Sequence, residues 1–391
     1  MMSSITNNLK KRYESYLKTA SMISSLFSDN DAPYINSRQA ERIYCSVFNA
    51  KDISRSDCSA DAVVGKTGVG IKTYLNSTGR TYQKIAEFNK NSSSLRELTD
   101  SKEISFEVAR LRNERINTTM KIYGLTNMIY HCIVRESNKI IVFETDMELI
   151  NISKIRNIEK SNNNIYFNDT INEYNFSISK STLYKRFITP KKSIIETDVF
   201  ILDNPYEILG QLLFEKTGTD YGTANEFVVA ERTTDTFNVT ESIMLPLFSD
   251  KGGRHVPERS GLNQWNARGR PRDFNEIYIP IPAWINRKFP SFFPSRDTPF
   301  SILLPDNSTL LCKICQDNDK ALMSNPNSAL GEWLLRKVLS LNEGELLTYK
   351  KLEDLGIDTV EIIKNNNSYS IDFRPIGSFD NFTEEHKTPN T

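Results

Sequence analysis

Residues 277–315 read IYIPIPAWINRKFPSFFPSRDTPFSILLPDNSTLLCKIC, in which three short apolar runs are separated by polar, proline-containing segments. Runs of this kind, bounded by turn-forming residues, are typical of short β-strands. Similar runs continue on both sides, at IMLPLF, LLTYK, VEIIK and YSIDF. We therefore predict that residues 242–375 form a compact β-rich barrel or sandwich with one or two helices.

The sequence before this region has a different pattern. Apolar residues spaced by three and four predict an amphipathic helix from about residue 5 to 28, and a second helix is predicted from Ser37, its expected N-cap. Further helices are predicted over 78–89 and 103–120. The β-branched and aromatic runs over 122–188 predict several strands, so the N-terminal half is expected to be α+β.

The chain has 391 residues, enough for two domains. A polar stretch over 216–241, rich in Thr, Asp and Gly, is the predicted linker between residues 1–215 and residues 242–376. Residues 377–391 are polar and predicted to be a disordered tail. The expected fold class is therefore α+β, with a mixed N-terminal domain followed by a β-rich one.

The composition excludes a disordered or fibrous chain, because 38% of residues are hydrophobic and 25% are charged. Lys+Arg and Asp+Glu both number 49, so only local charge clusters can indicate a charged partner. Five cysteines without framework spacing indicate a reducing compartment, and we expect a cytoplasmic protein. A signal-peptide core and a long apolar span are both missing from the sequence, so no membrane partner is expected.

A β-hairpin is predicted where Gly65-Lys-Thr-Gly68 separates two short apolar runs. A four-residue loop pairs residue 64 with residue 69, and this register sets Asp61 opposite Lys72 on one face of the hairpin. The surrounding sequence is strongly apolar, so the two charges are not expected to be merely solvated. An ordinary cross-strand ion pair is the alternative explanation.

An acid facing a lysine across a hairpin resembles the metal-dependent PD-(D/E)xK nucleases, in which carboxylates hold a divalent ion and the lysine helps to position or deprotonate the attacking water. The resemblance implies that Asp61 and Lys72 are catalytic and that Mg²⁺ is the cofactor. In the usual pattern another carboxylate lies two residues before the lysine, but this chain has Gly70 there.

A second acid must therefore come from elsewhere. We predict Glu87, placed on the helix after the hairpin and one turn beyond Gln83, as the second metal ligand beside Asp61. Glu41, on the preceding helix, and Gln83 are predicted to support the site. Asp57 is an alternative to Asp61 as ligand.

A basic, amide-rich segment follows later in the chain. From Lys251 to Phe300 there are nine basic and four acidic residues, a net charge of +5. Arginines are mixed with Asn and Gln, the side chains that form bidentate contacts with guanine and adenine, whereas arginine and lysine also bind phosphate. A solvated loop is the alternative explanation. The predicted DNA-binding residues are Arg254, Asn263, Gln264, Trp265, Asn266, Arg268, Arg270, Arg272, Gln316, Asn318, Lys320, Asn325 and Asn327.

The run from Gly253 to Leu339 closely resembles the C-terminal DNA-recognition domain of NgoFVII-type restriction endonucleases, a B3-like pseudobarrel. The resemblance covers about 242–375 and implies two recognition arms that grip the major groove, at 263–272 and 316–327. NgoFVII-type enzymes carry a phospholipase D-like catalytic domain, whose signature is a histidine two residues before a lysine. None of the histidines here, at 131, 255 and 386, has that spacing. The metal-dependent hairpin is therefore favoured.

These features predict a type II restriction endonuclease that hydrolyses double-stranded DNA in an Mg²⁺-dependent reaction. Expected partners are duplex DNA, a second copy in a transient homodimer, and a cognate DNA methyltransferase as a functional partner. One alternative is a non-catalytic DNA-binding regulator. Another is a nuclease that uses different acids, such as Glu144, Asp146 and Glu148.

Overall fold

The computed structural model describes residues 6–54, 58–76, 78–217, 240–366 and 368–386. Asp57 and almost all of the predicted linker lie outside these ranges. In the N-terminal half the helices are α1 Asn7–Met22, α2 Ser37–Phe48, α3 Ser92–Glu97, α4 Ser101–Tyr123 and α5 Pro205–Thr217. The strands are β1 Lys51–Asp52, β2 Ala62–Val64, β3 Thr67–Leu75, β4 Arg80–Glu87, β5 Asn127–Glu136, β6 Lys139–Asp146, β7 Arg156–Ser161, β8 Asn164–Asn168, β9 Glu173–Ser177, β10 Thr182–Ile188 and β11 Ile195–Asp198.

The first sheet has the strand order β1-β2-β3-β5-β6-β11. Its central strands β3 and β5 are parallel and are connected through α4, whereas its other pairs are antiparallel. One face packs against α1 and α2, where Tyr13, Leu17 and Tyr44 are fully buried against apolar side chains of β3 and β5. Alternation along β3 and β5 sends the neighbouring side chains to the opposite face.

The second sheet is antiparallel, with the order β4-β10-β9-β8-β7. It forms a separate core with α4, in which Val108 and Leu111 pack near Phe167 and Phe176. The two sheets meet where the Tyr130 ring of β5 contacts the Phe187 ring of β10, with the centroids 5.0 Å apart. This junction lies on the face of the first sheet that α1 and α2 leave open.

The C-terminal half is a seven-stranded sheet with the order β12-β17-β18-β14-β15-β16-β13. Its two end strands, β12 and β13, lie against each other, so the sheet forms a nearly closed barrel. The strands are β12 Thr240–Pro246, β13 Ile279–Pro280, β14 Phe300–Leu303, β15 Thr309–Cys315, β16 Ala321–Ser324, β17 Ile357–Asn365 and β18 Ser368–Pro375. The helices are α6 Ala283–Lys288, α7 Ala329–Gly331, which continues as a π-helical segment over Glu332–Val338, α8 Tyr349–Leu355 and α9 Ser378–His386.

Helix α4 joins the two halves. The Asp354 carboxylate at the end of α8 accepts a hydrogen bond from Asn91 Nδ2 at 2.8 Å. It also forms an ion pair with Arg110 Nη2 at 3.4 Å. Arg115 Nε donates to the Asp354 carbonyl at 3.2 Å, and the Tyr123 hydroxyl donates to Asp372 on β18 at 2.9 Å. The barrel therefore packs on the same helix that connects β3 to β5.

Helices α1, α2 and α4, the strands over 122–188 and the β-rich C-terminal half confirm the predictions. The N-cap of α2 is Asn36 rather than Ser37, with Gln39 completing a capping box. The helix predicted over 78–89 is wrong, because residues 80–87 form β4 and pair with β10 along its length. The predicted tail begins with α9, whose Phe379 and Phe382 are buried against the barrel.

Gly331 marks a close approach between the helix at α7 and the loop before β13. A Cβ atom at this position would lie 2.1 Å from the Asn275 carbonyl oxygen and 2.6 Å from its carbon. We expect Gly331→Ala to destabilise the protein by about 3 kcal/mol, because backbone atoms must shift.

Thermal and urea unfolding measure this change. The matched control is Gly210→Ala in α5, where an added Cβ meets nothing within 4 Å. Because alanine is the better helix former, this variant is expected to be neutral or slightly stabilising. Equal stability of the two variants would contradict the packing described at Gly331.

Candidate nucleic-acid interface and candidate catalytic site

A groove on the barrel is lined by Lys320 of the second predicted arm, whereas residues 263–272 of the first predicted arm are not part of its lining. The groove has a volume of about 1080 Å³ and lies between the loop after β12, the segment around β13 and helix α9. Lys251, His255 and Lys320 are exposed at its rim, and Tyr278 and Trp284 form part of its wall. A concave surface with cationic rim residues is suited to a phosphate backbone.

Arg254 stabilises one wall of this groove. Its guanidinium pairs with Asp250 at 3.0 Å and with Asp380 of α9 at 2.8 Å, and it lies 4.2 Å from the centroid of the Phe248 ring. Hydrogen bonding to Asp380 is the main cause that raises the pKa of Arg254. Since these contacts occupy the guanidinium, the structure gives Arg254 a supporting position rather than a free one.

The first arm is organised around a buried carboxylate that the sequence analysis did not single out. Glu276 is 4% exposed, and it accepts hydrogen bonds from Gln264 Nε2 at 3.2 Å and Arg270 Nη2 at 2.6 Å. Arg272 Nε lies 3.4 Å from the same oxygen. Three predicted DNA-binding side chains are thus held in place by one acid.

Asn263 is fully buried. Its Nδ2 donates to the Leu347 and Pro257 carbonyls at 2.9 and 3.1 Å, and its Oδ1 accepts from the Leu347 amide at 2.9 Å. The prediction that Asn263 reads a base is wrong, because these bonds fix the chain before the arm. The amide content of this segment suggested a DNA contact, but it does not show which amide side chains are buried.

The exposed part of the arm begins after this anchor. Asn266 Nδ2 donates to the Glu258 carbonyl at 3.0 Å, and the Trp265 ring packs edge-on against the Phe274 ring, with the centroids 5.5 Å apart. Arg268 is exposed, and its guanidinium forms no ion pair with any described residue. The guanidinium of Arg268 is therefore available for a contact with DNA.

The second predicted arm, residues 316–327, does not form a single loop, because residues 321–324 form the buried strand β16. Asn318 and Lys320 lie in the turn before β16, whereas Asn325 and Asn327 lie in the turn after it. Gln316 is partly buried and has a positive φ of 67°. The predicted residues therefore occupy opposite ends of a short strand.

The turn before β16 is braced by α6. Asn286 Nδ2 donates to the Asn318 and Asp319 carbonyls at 3.1 and 3.0 Å. Arg287 and Lys288 follow on α6 and are exposed. They belonged to the basic segment noted in the sequence, but their proximity to the turn depends on tertiary contacts.

Residues 235–366 match the model of the NgoFVII C-terminal B3-like DNA-binding domain. The barrel is a B3-like DNA-binding domain. The match confirms the fold and the DNA partner predicted for this half, and it does not reach the N-terminal half. A comparison of the chain with curated proteins gave no match. No helix in the described part of the chain has the length and apolarity that crossing a bilayer demands.

The N-terminal hairpin differs in register from the prediction. Val64 pairs with Thr67 across a two-residue turn, and Ala62 pairs with Val69. The predicted four-residue loop is therefore wrong, and the observed register does not set Asp61 opposite Lys72. The Asp61 amide donates to the Val69 carbonyl at 2.9 Å, so the regular pairing ends at Ala62.

The Asp61 carboxylate continues the ladder between the strands beyond the end of β2. Its Oδ2 accepts a hydrogen bond from the Ile71 amide at 2.6 Å. Burial is the largest cause acting on the pKa of Asp61 and raises it, whereas the nearby positive charge of Lys72 lowers it. The Lys72 ammonium forms no hydrogen bond or ion pair within the described residues, and it lies 6.0 Å from the Tyr130 ring centroid.

Side chains of the first sheet lie close to Gly70, where the resemblance would place another acid. A Cβ atom would lie 2.7 Å from Met147 Cε and 3.1 Å from Tyr130 Cδ1. An acid at this position would therefore require the end of the Met147 side chain to move and the Tyr130 ring to shift slightly.

The structure does not place Glu87 or Gln83 on a helix, since both lie on β4 of the second sheet. Glu87 is exposed and pairs with Lys84 at 2.8 Å, and Gln83 Nε2 donates to Thr81 at 3.2 Å. The argument from a shared helical face therefore fails. No contact links either side chain with Asp61 or Lys72 in the part of the chain that the structure describes.

Two acids, Glu41 on α2 and Asp52 on β1, lie close enough to Asp61 for their charges to interact with its carboxylate. Burial is the main cause that raises the pKa of Glu41, and the negative charge of Asp61 raises it further. Arg38 pairs with Glu41 and with Asp52, each at 2.9 Å, and so offsets part of this acidic charge. Asp61 therefore lies within electrostatic range of Lys72, Glu41 and Asp52, and no hydrogen bond or ion pair joins Asp61 to any of these three side chains among the described residues.

The alternative acids on and after β6 have other partners. Glu144 lies 3.4 Å from His131 Nδ1, and Glu148 accepts a hydrogen bond from Asn172 at 2.8 Å. Asp146 is exposed at the end of the strand. Within the described ranges, no group of three or more His, Cys, Asp or Glu side chains is arranged to hold a metal ion.

Substitution of Asp61 distinguishes two explanations of this residue, an ordinary structural ion pair with Lys72 and a buried acid kept for function. Because folding raises its pKa, the ionised carboxylate costs stability as the pH rises through the folded-state value. Asp61→Asn keeps an acceptor for the Ile71 amide, so we expect equal or higher thermal stability at pH 7. The difference in thermal stability between Asp61→Asn and the unmodified protein should disappear below about pH 3, where Asp61 is protonated in the folded and the unfolded state. Clear destabilisation at pH 7 would support the ordinary ion pair.

Two substitutions in the B3-like domain test the assignment of its residues. Lys320→Ala should weaken binding to all duplexes and reduce the salt dependence of log K by about 0.9, because one phosphate contact is lost. Asn263→Ala should instead lower the unfolding free energy by about 2 kcal/mol, since buried backbone groups lose their partners. Fluorescence anisotropy over a salt series and thermal unfolding measure the two effects. A stable Asn263→Ala protein with altered sequence preference would contradict the structural role.

Proposed function

We propose that the protein is a type II restriction endonuclease that binds a short duplex sequence through its B3-like domain and hydrolyses DNA through its N-terminal half. The match of residues 235–366 to the NgoFVII DNA-binding domain carries the proposal. The domain takes its name from a restriction enzyme, and the N-terminal half packs directly on it through α4.

The catalytic residues in this proposal are Asp61 and Lys72, with Glu41 taking the place predicted for Glu87. Mg²⁺ binds oxygen ligands and commonly uses one or two protein carboxylates together with water and substrate phosphate. Asp61 and Glu41 fit that requirement, because their charges repel each other and one Asp61 oxygen remains outside the bond to Ile71. When bound, the ion would polarise the phosphate and acidify a bound water.

Lys72 contributes a positive charge beside Asp61. Its ammonium, which has no ion-pair partner among the described residues, is available to stabilise negative charge on the scissile phosphate or on the attacking oxygen. Arg38 keeps the Glu41 carboxylate oriented through the 2.9 Å ion pair. The two strands of a duplex require two active sites or two successive events, so a transient homodimer and a protecting methyltransferase belong to the same proposal.

A non-catalytic DNA-binding regulator is the second candidate. The observation that favours it is the hydrogen bond that the Asp61 carboxylate accepts from the Ile71 amide, because this bond gives Asp61 a structural role in the sheet. In that case the N-terminal half would serve as a partner-binding module. Metal-dependent cleavage excludes this candidate.

The test is incubation of the full-length protein with unmethylated plasmid and phage DNA in Mg²⁺ or in EDTA. We expect discrete fragments only with Mg²⁺. Asp61→Asn and Lys72→Ala should lower the cleavage rate by at least about 100-fold, because charge stabilisation at the phosphate is lost.

Glu41→Gln and Glu87→Gln form the discriminating pair. Glu41→Gln should reduce cleavage about 100-fold, whereas Glu87→Gln should stay within about threefold of the unmodified protein. Fragments that form in EDTA would refute the metal mechanism. Sequence-specific binding without fragments under any condition would leave the regulator.

A further inference from the structure

A second cleft lies at the junction of the two N-terminal sheets. It has a volume of about 260 Å³ and is lined by β6, by the segment before β9 and by β10. Its polar lining residues are Glu144, Thr145, Asn172, Glu173, Lys185 and Arg186. Neither the hairpin chemistry nor the B3-like domain uses this cleft.

The charged side chains of the cleft are paired, with one exception. Arg186 Nε contacts Glu173 at 2.7 Å, and Glu144 lies beside His131. Lys185 is 6% exposed and makes no hydrogen bond or ion pair with any residue that the structure describes. A buried ammonium without a partner is costly, and burial accordingly lowers the pKa of Lys185.

Aromatic rings hold the Lys185 ammonium in place. Its Nζ lies 5.4 Å from the Tyr130 ring centroid and 5.5 Å from that of Phe187. Lys72 Nζ lies 6.0 Å from the centroid of the same Tyr130 ring, and Arg112 donates to the Tyr130 hydroxyl at 2.8 Å. Three cations thus surround one tyrosine, although Lys185 belongs to the second sheet and Lys72 to the first.

The acids that influence Lys185 are Glu148 and Asp169, and neither bonds to it. The Glu148 Oε2 atom accepts from Asn172, and Asp169 accepts from backbone amides of its own turn. The cleft lining has equal numbers of cations and carboxylates, because Lys185 and Arg186 are matched by Glu144 and Glu173. Glu173 pairs with Arg186 and Glu144 lies beside His131, so the Lys185 ammonium, together with hydrogen-bond donors and room for a small oxyanion, is the feature that favours an anionic ligand. A carbohydrate or an apolar ligand would leave the ammonium unpaired.

We propose that Lys185 binds a backbone phosphate of nucleic acid in this cleft, beside the catalytic hairpin. The inference rests on the proposed function in one respect, namely that the phosphate belongs to the DNA strand presented to Asp61 and Lys72. Lys185 is then a positioning residue, which holds a phosphate while Lys72 acts at the scissile one. This assigns a DNA contact to the second sheet as well as to the barrel.

The first experiment measures the binding of inorganic phosphate to the full-length protein without Mg²⁺, by calorimetry and by the rise in unfolding temperature. Lys185→Met removes the charge and keeps the aliphatic stem, and Lys160→Met on exposed β7 of the same sheet is the matched control. We expect Lys185→Met to bind phosphate at least about tenfold more weakly and Lys160→Met to be unchanged. Lys185→Gln provides a second variant if the methionine variant does not fold. Equal phosphate binding by the folded Lys185 variant and the unmodified protein would overturn the proposal.

The second experiment asks whether the phosphate comes from DNA. A 30-bp duplex is titrated without Mg²⁺ over a salt series, and Lys185→Met should reduce the salt slope of log K by about 0.9. If phosphate binding depends on Lys185 but duplex binding does not, the site takes a free oxyanion and the nucleic-acid assignment is overturned. Both measurements omit cleavage. Lys185-dependent binding in a protein that never cuts DNA would therefore support the site while refuting the proposed nuclease.

Discussion

The parallel pairing of β3 with β5 is the constraint on which the rest of the structure depends. Parallel neighbours cannot be joined by a tight turn and need a crossover, and here the chain passes through β4, α3 and the 23-residue helix α4 between the two strands. Helix α4 also contacts the second sheet and the barrel. One connection therefore fixes three cores relative to each other.

The same pairing shapes the candidate catalytic site. It brings Tyr130 next to Gly70, the position at which PD-(D/E)xK nucleases, by the resemblance above, carry another acid. In the proposed site the second acid comes instead from α2, through Glu41.

Much of the fold was readable from the sequence, because apolar periodicity reports which residues are buried. The periodicity located α1, α2, α4 and the barrel strands. It failed at residues 80–87, where partnership with β10 overrides a helix-like spacing, and in the hairpin turn, where a positive φ at Gly65 allows two residues to suffice. The candidate residues divide along the same line. The charges of Asp61 and Lys72 interact although their predicted pairing is wrong, whereas Glu41, Lys185 and the burial of Asn263 depend on contacts between distant segments.

The buried Glu276 has a consequence for the affinity of the proposed DNA recognition. Because Gln264, Arg270 and Arg272 already converge on this carboxylate, the first arm is ordered in the protein without DNA. An arm that folded only on contact would lose conformational entropy on binding, and this loss would weaken the complex. By holding the three side chains in advance, Glu276 would lower that entropic cost for a DNA contact that it does not itself make.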